Sequence, residues 1–107
     1  MLNAHYALGF VVFLTALVAI FWAPARRYVL YILVLQIVLG ALTWWMGGTA
    51  PPALHWILAI LVGGIYAMAS AFERRGRPRG LVMGVLILGA LVIAYVFYLG
   101  MNAVVGA

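Results

Sequence analysis

The chain contains no cysteine, no aspartate, no lysine and a single glutamate, Glu73. Each gap removes a class of chemistry. Without cysteine there are no disulfides, no iron–sulfur clusters and no thiolate ligation of iron. No carboxylate lies inside an apolar run, so transport coupled to protons or cations lacks its usual intramembrane acid. Zinc or copper held by histidine would lack a third strong ligand, although Met46 or Met101 could assist copper(I). The sequence shows no Ser/His or Cys/His hydrolytic arrangement and no phosphate-cradling glycine loop.

What is present is mostly apolar. Of 107 residues 70% are hydrophobic and only 7% charged, and the mean hydropathy of +1.27 lies far outside the range of soluble globular domains. The chain reads as an integral membrane protein of the all-α class. Four apolar runs are each close to the 20 residues that cross a hydrocarbon core of roughly 30 Å. They cover about 4–22, 28–46, 53–72 and 80–100. These predict an up-down bundle of four transmembrane helices, a single domain over 1–107 with no soluble portion. Its charges follow the first apolar run, so that run does not read as a cleaved signal peptide and is expected to be retained.

The net charge is +5, yet its placement argues against nucleic acid as a partner. Arg26 and Arg27 sit between the first two runs, and Arg74, Arg75, Arg77 and Arg79 between the last two; the connection 47–52 has none. By the positive-inside rule both arginine turns are cytoplasmic, anchored to anionic lipid, and the termini and the 47–52 loop face outward. A prokaryotic cytoplasmic membrane is the expected location.

Only two histidines occur, His5 and His55, and each enters an apolar run near its start. Each is followed by an apolar helix, an arginine turn and a Leu-Gly-Ala-Leu run, 39–42 and 88–91, at nearly the same offset from its histidine. The order of landmarks predicts two pseudo-symmetric hairpins related by an axis along the membrane normal. The histidines then lie at matching depth on either side of that axis. A polar side chain inside a bilayer tends to face the bundle interior, and two facing imidazoles satisfy the axial positions of a haem iron. His5 and His55 are therefore the expected haem ligands, and the only expected metal ligands. Gly40 and Gly89, with Gly9 and Gly63, would give a flat macrocycle close backbone approach, and Gln36 and Thr43 share the Gly40 face. No basic residue serves the outer side, so the propionates would rely on Asn3, Trp44, Trp45, Thr49 and Trp56. His/Met ligation through Met46 or Met101 stays open; the repeat favours His/His.

The run Leu35-Gln36-Ile37-Val38-Leu39-Gly40-Ala41-Leu42-Thr43, then a short loop with prolines and Ala53-Leu54-His55, resembles the haem A synthase family. Members are built from pseudo-symmetric four-helix halves that hold haem between two histidines. By this resemblance His55 corresponds to the histidine after the loop and His5 to the one opening the earlier helix. Around that earlier histidine the family carries a glutamate three residues before and an arginine after, where this chain has Leu2 and Tyr6. The outer cysteine pair of many members is absent, and the chain has half their length. The resemblance therefore implies a haem-binding half-module and does not extend to haem hydroxylation.

Together these readings predict a small membrane cytochrome with one haem b, moving electrons within or beside a redox complex, with quinone an exchange partner and a homo-oligomer allowed. It is not expected to be an enzyme in its own right. The alternatives are a non-redox subunit or assembly factor of a membrane complex and, after it, a small transporter.

Overall fold

Prolines and glycines shape the turns that fold this chain back on itself. A computed structural model of the chain describes the backbone of residues 2–47 and 50–105 and the side chains of residues 4–47 and 50–101. Four helices follow in order: α1 (Leu2–Phe21), α2 (Ala25–Trp45), α3 (Ala53–Arg74) and α4 (Arg79–Val105). All four are long and apolar enough to cross a membrane, and no strand occurs among the described residues.

Pro24 caps α2 from a helical conformation (φ −59°), which keeps the α1–α2 turn very short. This draws Arg26 and Arg27 into the first turn of α2, so that helix starts earlier than the expected residue 28. At the other end Gly47 takes φ +98°, a left-handed conformation that costs glycine least. The α3 terminus is a Schellman motif: Gly76 (φ +69°) and Arg77 donate their N–H groups to the carbonyls of Glu73 and Phe72 at 3.1 and 3.0 Å. Pro78 follows and stops any continuation. These contacts carry α3 to Arg74, beyond the expected residue 72, and α4 runs past Gly100 because the apolar sequence does not end there.

The helices form a closed ring in which α1 packs on α2 and α4, and α3 packs on α2 and α4; the diagonal pairs do not touch through their backbones among the described residues. The result is an elongated body of 46 × 20 × 18 Å. One end carries the α2–α3 loop and the other the arginines.

The core is built largely from small and β-branched residues: Val12, Ala16 and Ala19 of α1, Val29 of α2, Val62 and Ala69 of α3, and Ala90 of α4. Larger side chains such as Phe10, Leu14, Leu17, Leu61 and Leu91 point away from the bundle. This is the arrangement expected of helices solvated by lipid, where tight backbone approach drives association and large apolar groups do not need to be hidden.

One charge lies inside. Arg26 is only 9% exposed; its Nε donates to the Ala19 carbonyl at 3.1 Å and its guanidinium pairs with Glu73 of α3. The sole acid of the chain therefore joins the two hairpins at the arginine end. Arg26 does more than the topological work that the sequence suggests.

Candidate functional site

His5 stands at the end of the first turn of α1 and His55 in the first turn of α3, where its backbone N–H is bonded to the Pro52 carbonyl at 3.0 Å. The two helices are parallel in an up-down ring, so both rings enter the bundle at the loop end. Their centroids are 6.3 Å apart, with the ring planes inclined at 77°. They meet across the diagonal of the bundle, in a cavity of about 550 Å³.

Two glycines make room for them. A Cβ on Gly40 would meet His5 Cε1 at 3.0 Å, and a Cβ on Gly100 would meet His55 Cε1 at 2.8 Å. Each imidazole thus lies on the backbone of the helix that returns from its own hairpin. Gly9 serves the same purpose between α1 and its neighbours: a Cβ there would meet Phe97 at 2.9 Å and Gln36 Nε2 at 3.1 Å.

The polar contacts are few. His55 Nδ1 lies 2.8 Å from the Val96 carbonyl oxygen, which can only accept, so Nδ1 carries the proton and donates it. That tautomer leaves the Nε2 lone pair free. Gln36 Nε2 donates to the His5 backbone carbonyl at 2.5 Å, and Thr43 Oγ1 to the Leu39 carbonyl at 2.8 Å. His5 Nδ1, Tyr6 OH and Gln36 Oε1 are buried without a partner. Unpartnered polar atoms are uncommon in native interiors; Tyr66 OH, deeper in the bundle, is a fourth.

Most of the residues expected at the site are brought together here. His5, His55, Gly9, Gln36, Gly40, Thr43, Trp44 and Trp56 all line the cavity. Gly63 and Gly89 do not. Gly63 has only Leu33 near it, at 3.8 Å, while a Cβ on Gly89 would meet the Tyr66 ring at 2.9 Å, deeper in the bundle. The two Leu-Gly-Ala-Leu runs therefore sit at different depths. Tyr66 lies roughly three turns past His55 on α3, and Gly100 roughly three turns past Gly89 on α4. In an antiparallel pair those steps match, so His55 faces Gly100 and Tyr66 faces Gly89. Trp45 is 85% exposed and outside the cavity; Thr49 and the side chain of Asn3 lie outside the described residues.

Sequence reasoning missed Tyr6, Val96, Phe97 and Gly100. Leu99-Gly100 repeats the Leu-Gly step of 39–40 and 88–89, and that was the available signal for Gly100. Val96 contributes a backbone carbonyl, which no side-chain pattern announces.

The fold and the site define a four-helix integral membrane protein with a two-imidazole chamber near one end. No protein-family model, curated protein or solved structure matches the chain.

Proposed function

We propose that this chain is a small membrane cytochrome in which His5 and His55 hold one haem b between them. The observation that carries the reading is the spacing of the two rings. An imidazole nitrogen binds a metal at about 2.0 Å and lies roughly 1.1 Å from its own ring centre, so two rings facing each other across one ion have centres about 6.2 Å apart. The observed 6.3 Å agrees with that geometry, and crossed ring planes suit two axial ligands on opposite faces of a macrocycle.

The remaining features support the same group. A chamber of about 550 Å³ falls within the ~300–1,000 Å³ typical of cofactor sites. Gly9, Gly40 and Gly100 keep side chains out of it, and Gln36 and Thr43 stand at its wall. The His55 tautomer leaves the Nε2 lone pair free, as a metal ligand requires. Two imidazoles without a third donor suit a metal whose other ligands come from a macrocycle better than a bare zinc or copper ion. Trp44 and Trp56, half-exposed residues of the lining, would supply indole N–H donors for propionates. When bound, haem supplies reversible one-electron chemistry.

The function that follows is electron transfer within or beside a redox complex, with quinone as an exchange partner. The termini and the α2–α3 loop face outward and the arginine turns inward, which places the haem toward the outer leaflet of a prokaryotic cytoplasmic membrane. The resemblance to haem A synthases is to their haem-binding half-module.

The test is a dithionite-reduced-minus-oxidised visible spectrum of the detergent-purified protein, with haem quantified per chain. Sharp α and β bands of a six-coordinate haem b at about one per chain are expected, and they should vanish in the His5→Ala/His55→Ala double variant. A chain that shows no Soret band after haem feeding during expression would leave the histidines as polar helix ends and favour a non-redox complex subunit.

A further inference from the structure

A second cavity, of about 340 Å³, lies at the arginine end, where residues of all four helices meet. Arg26 lines it and is only 9% exposed. A guanidinium carries five N–H donors. Nε is given to the Ala19 carbonyl and one terminal N–H to Glu73, and the others find no acceptor among the described residues. Arg77 and Arg79 line the same cavity, and neither side chain bonds to the protein among the described residues. Three arginines against one glutamate leave a surplus of positive charge.

An arginine that only marks topology can stay fully solvated. A nearly buried one with open donors, beside two more, is prepared for an anion, and the planar fork of a guanidinium matches the paired oxygens of a phosphate. Phe21 and Met83 make part of the wall apolar, which a small soluble anion would not use. We propose that this cavity is a specific site for the phosphate of an anionic phospholipid, with Arg26, Arg77 and Arg79 as its donors and the apolar wall beside the glycerol and the first acyl carbons. Glu73 pairs with Arg26 and holds it at the cavity. The site differs from the general attraction of a basic turn to an anionic leaflet, because Arg27, Arg74 and Arg75 do not line it. It is independent of haem, which the reading above places at the opposite end of the bundle.

The experiment is native mass spectrometry of the full chain in a nonionic detergent, titrated with phosphatidylglycerol, with phosphatidylcholine or with inorganic phosphate. Wild type should retain about one phosphatidylglycerol per chain at saturation. Arg77→Gln/Arg79→Gln should weaken that binding roughly 25-fold, about fivefold for each arginine lost. Arg74→Gln/Arg75→Gln removes the same charge from outside the cavity and should bind as wild type does. Equal weakening by the two pairs would reveal diffuse attraction and overturn the site. Should either paired variant not be recovered folded, wild type with the three probes decides: preference for phosphatidylglycerol, undisturbed by inorganic phosphate, supports the proposal. Phosphatidylcholine held as tightly would overturn the choice of an anionic lipid, and displacement of bound phosphatidylglycerol by inorganic phosphate would assign the cavity to a soluble anion instead.

Discussion

His5 and His55 sit on helices whose backbones do not touch among the described residues, yet their ring centres lie 6.3 Å apart across the bundle. The contact exists because α2 and α4 present glycine, not a side chain, beside each ring. Remove that space and the rings must move.

Gly100→Val is therefore expected to push His55 off its position, since even a Cβ would meet its ring at 2.8 Å. Haem affinity should fall at least about tenfold, and Gly40→Val should act in the same way on His5. Gly64→Ala is the control: nothing lies within 4 Å of the Cβ it adds, and it should leave haem content unchanged while stabilising α3 by up to about 1 kcal/mol. Haem per chain and thermal midpoint in detergent separate these outcomes. Equal haem content in all three variants would show that the glycines are incidental.

Tyr66 is fully buried and its hydroxyl has no partner. Tyr66→Phe removes an unsatisfied polar atom and keeps the ring that packs on Gly89, so stability should be unchanged or rise by up to about 1–2 kcal/mol. A clear drop in thermal midpoint would reveal a bonded water or a partner for that hydroxyl.

The pair between Arg26 and Glu73 is lopsided, with side-chain exposures of 10% and 49%. Glu73→Ala leaves a guanidinium almost buried with one carbonyl for company, a loss of roughly 1–3 kcal/mol. Arg26→Met removes the buried charge itself and leaves Glu73 free to hydrate, so it should stay within about 1 kcal/mol of wild type. Thermal unfolding of the two variants in one detergent tests the order; Arg26→Met as the more damaging change would contradict it.

The absence of native cysteine gives a clean background for topology. Ala50→Cys and Arg77→Cys lie at opposite ends of the bundle, both exposed. In intact cells an impermeant maleimide should label Ala50→Cys and spare Arg77→Cys until the membrane is permeabilised. The reverse pattern would place the histidine chamber on the cytoplasmic side.

Much of this protein was legible before any coordinates. Apolar length predicts four helices, and the order of His, arginine turn and Leu-Gly-Ala-Leu predicts two hairpins with their histidines at one end. The helix ends were less legible, because Pro24 begins α2 inside a very short turn and the Gly76 motif extends α3 by a turn chemistry that hydropathy does not register. The pocket glycines show the limit most clearly: Gly89, expected at the chamber, lies deeper beside Tyr66, and Gly100 stands beside His55 instead. A sequence landmark keeps its order along the chain, but its depth depends on how far two antiparallel helices slide past one another.

Hydrophobic length and charge placement are one-dimensional properties, and by themselves they determine the membrane class, the helix count and the end at which the histidines stand. Only the tertiary structure decides which glycine lies beside which ring, that Arg26 closes on Glu73, and that the Val96 carbonyl accepts from His55. These depend on helix rotation and axial register. Helices that are apolar on every face, because lipid covers the side that the bundle does not, carry little periodicity to encode either one.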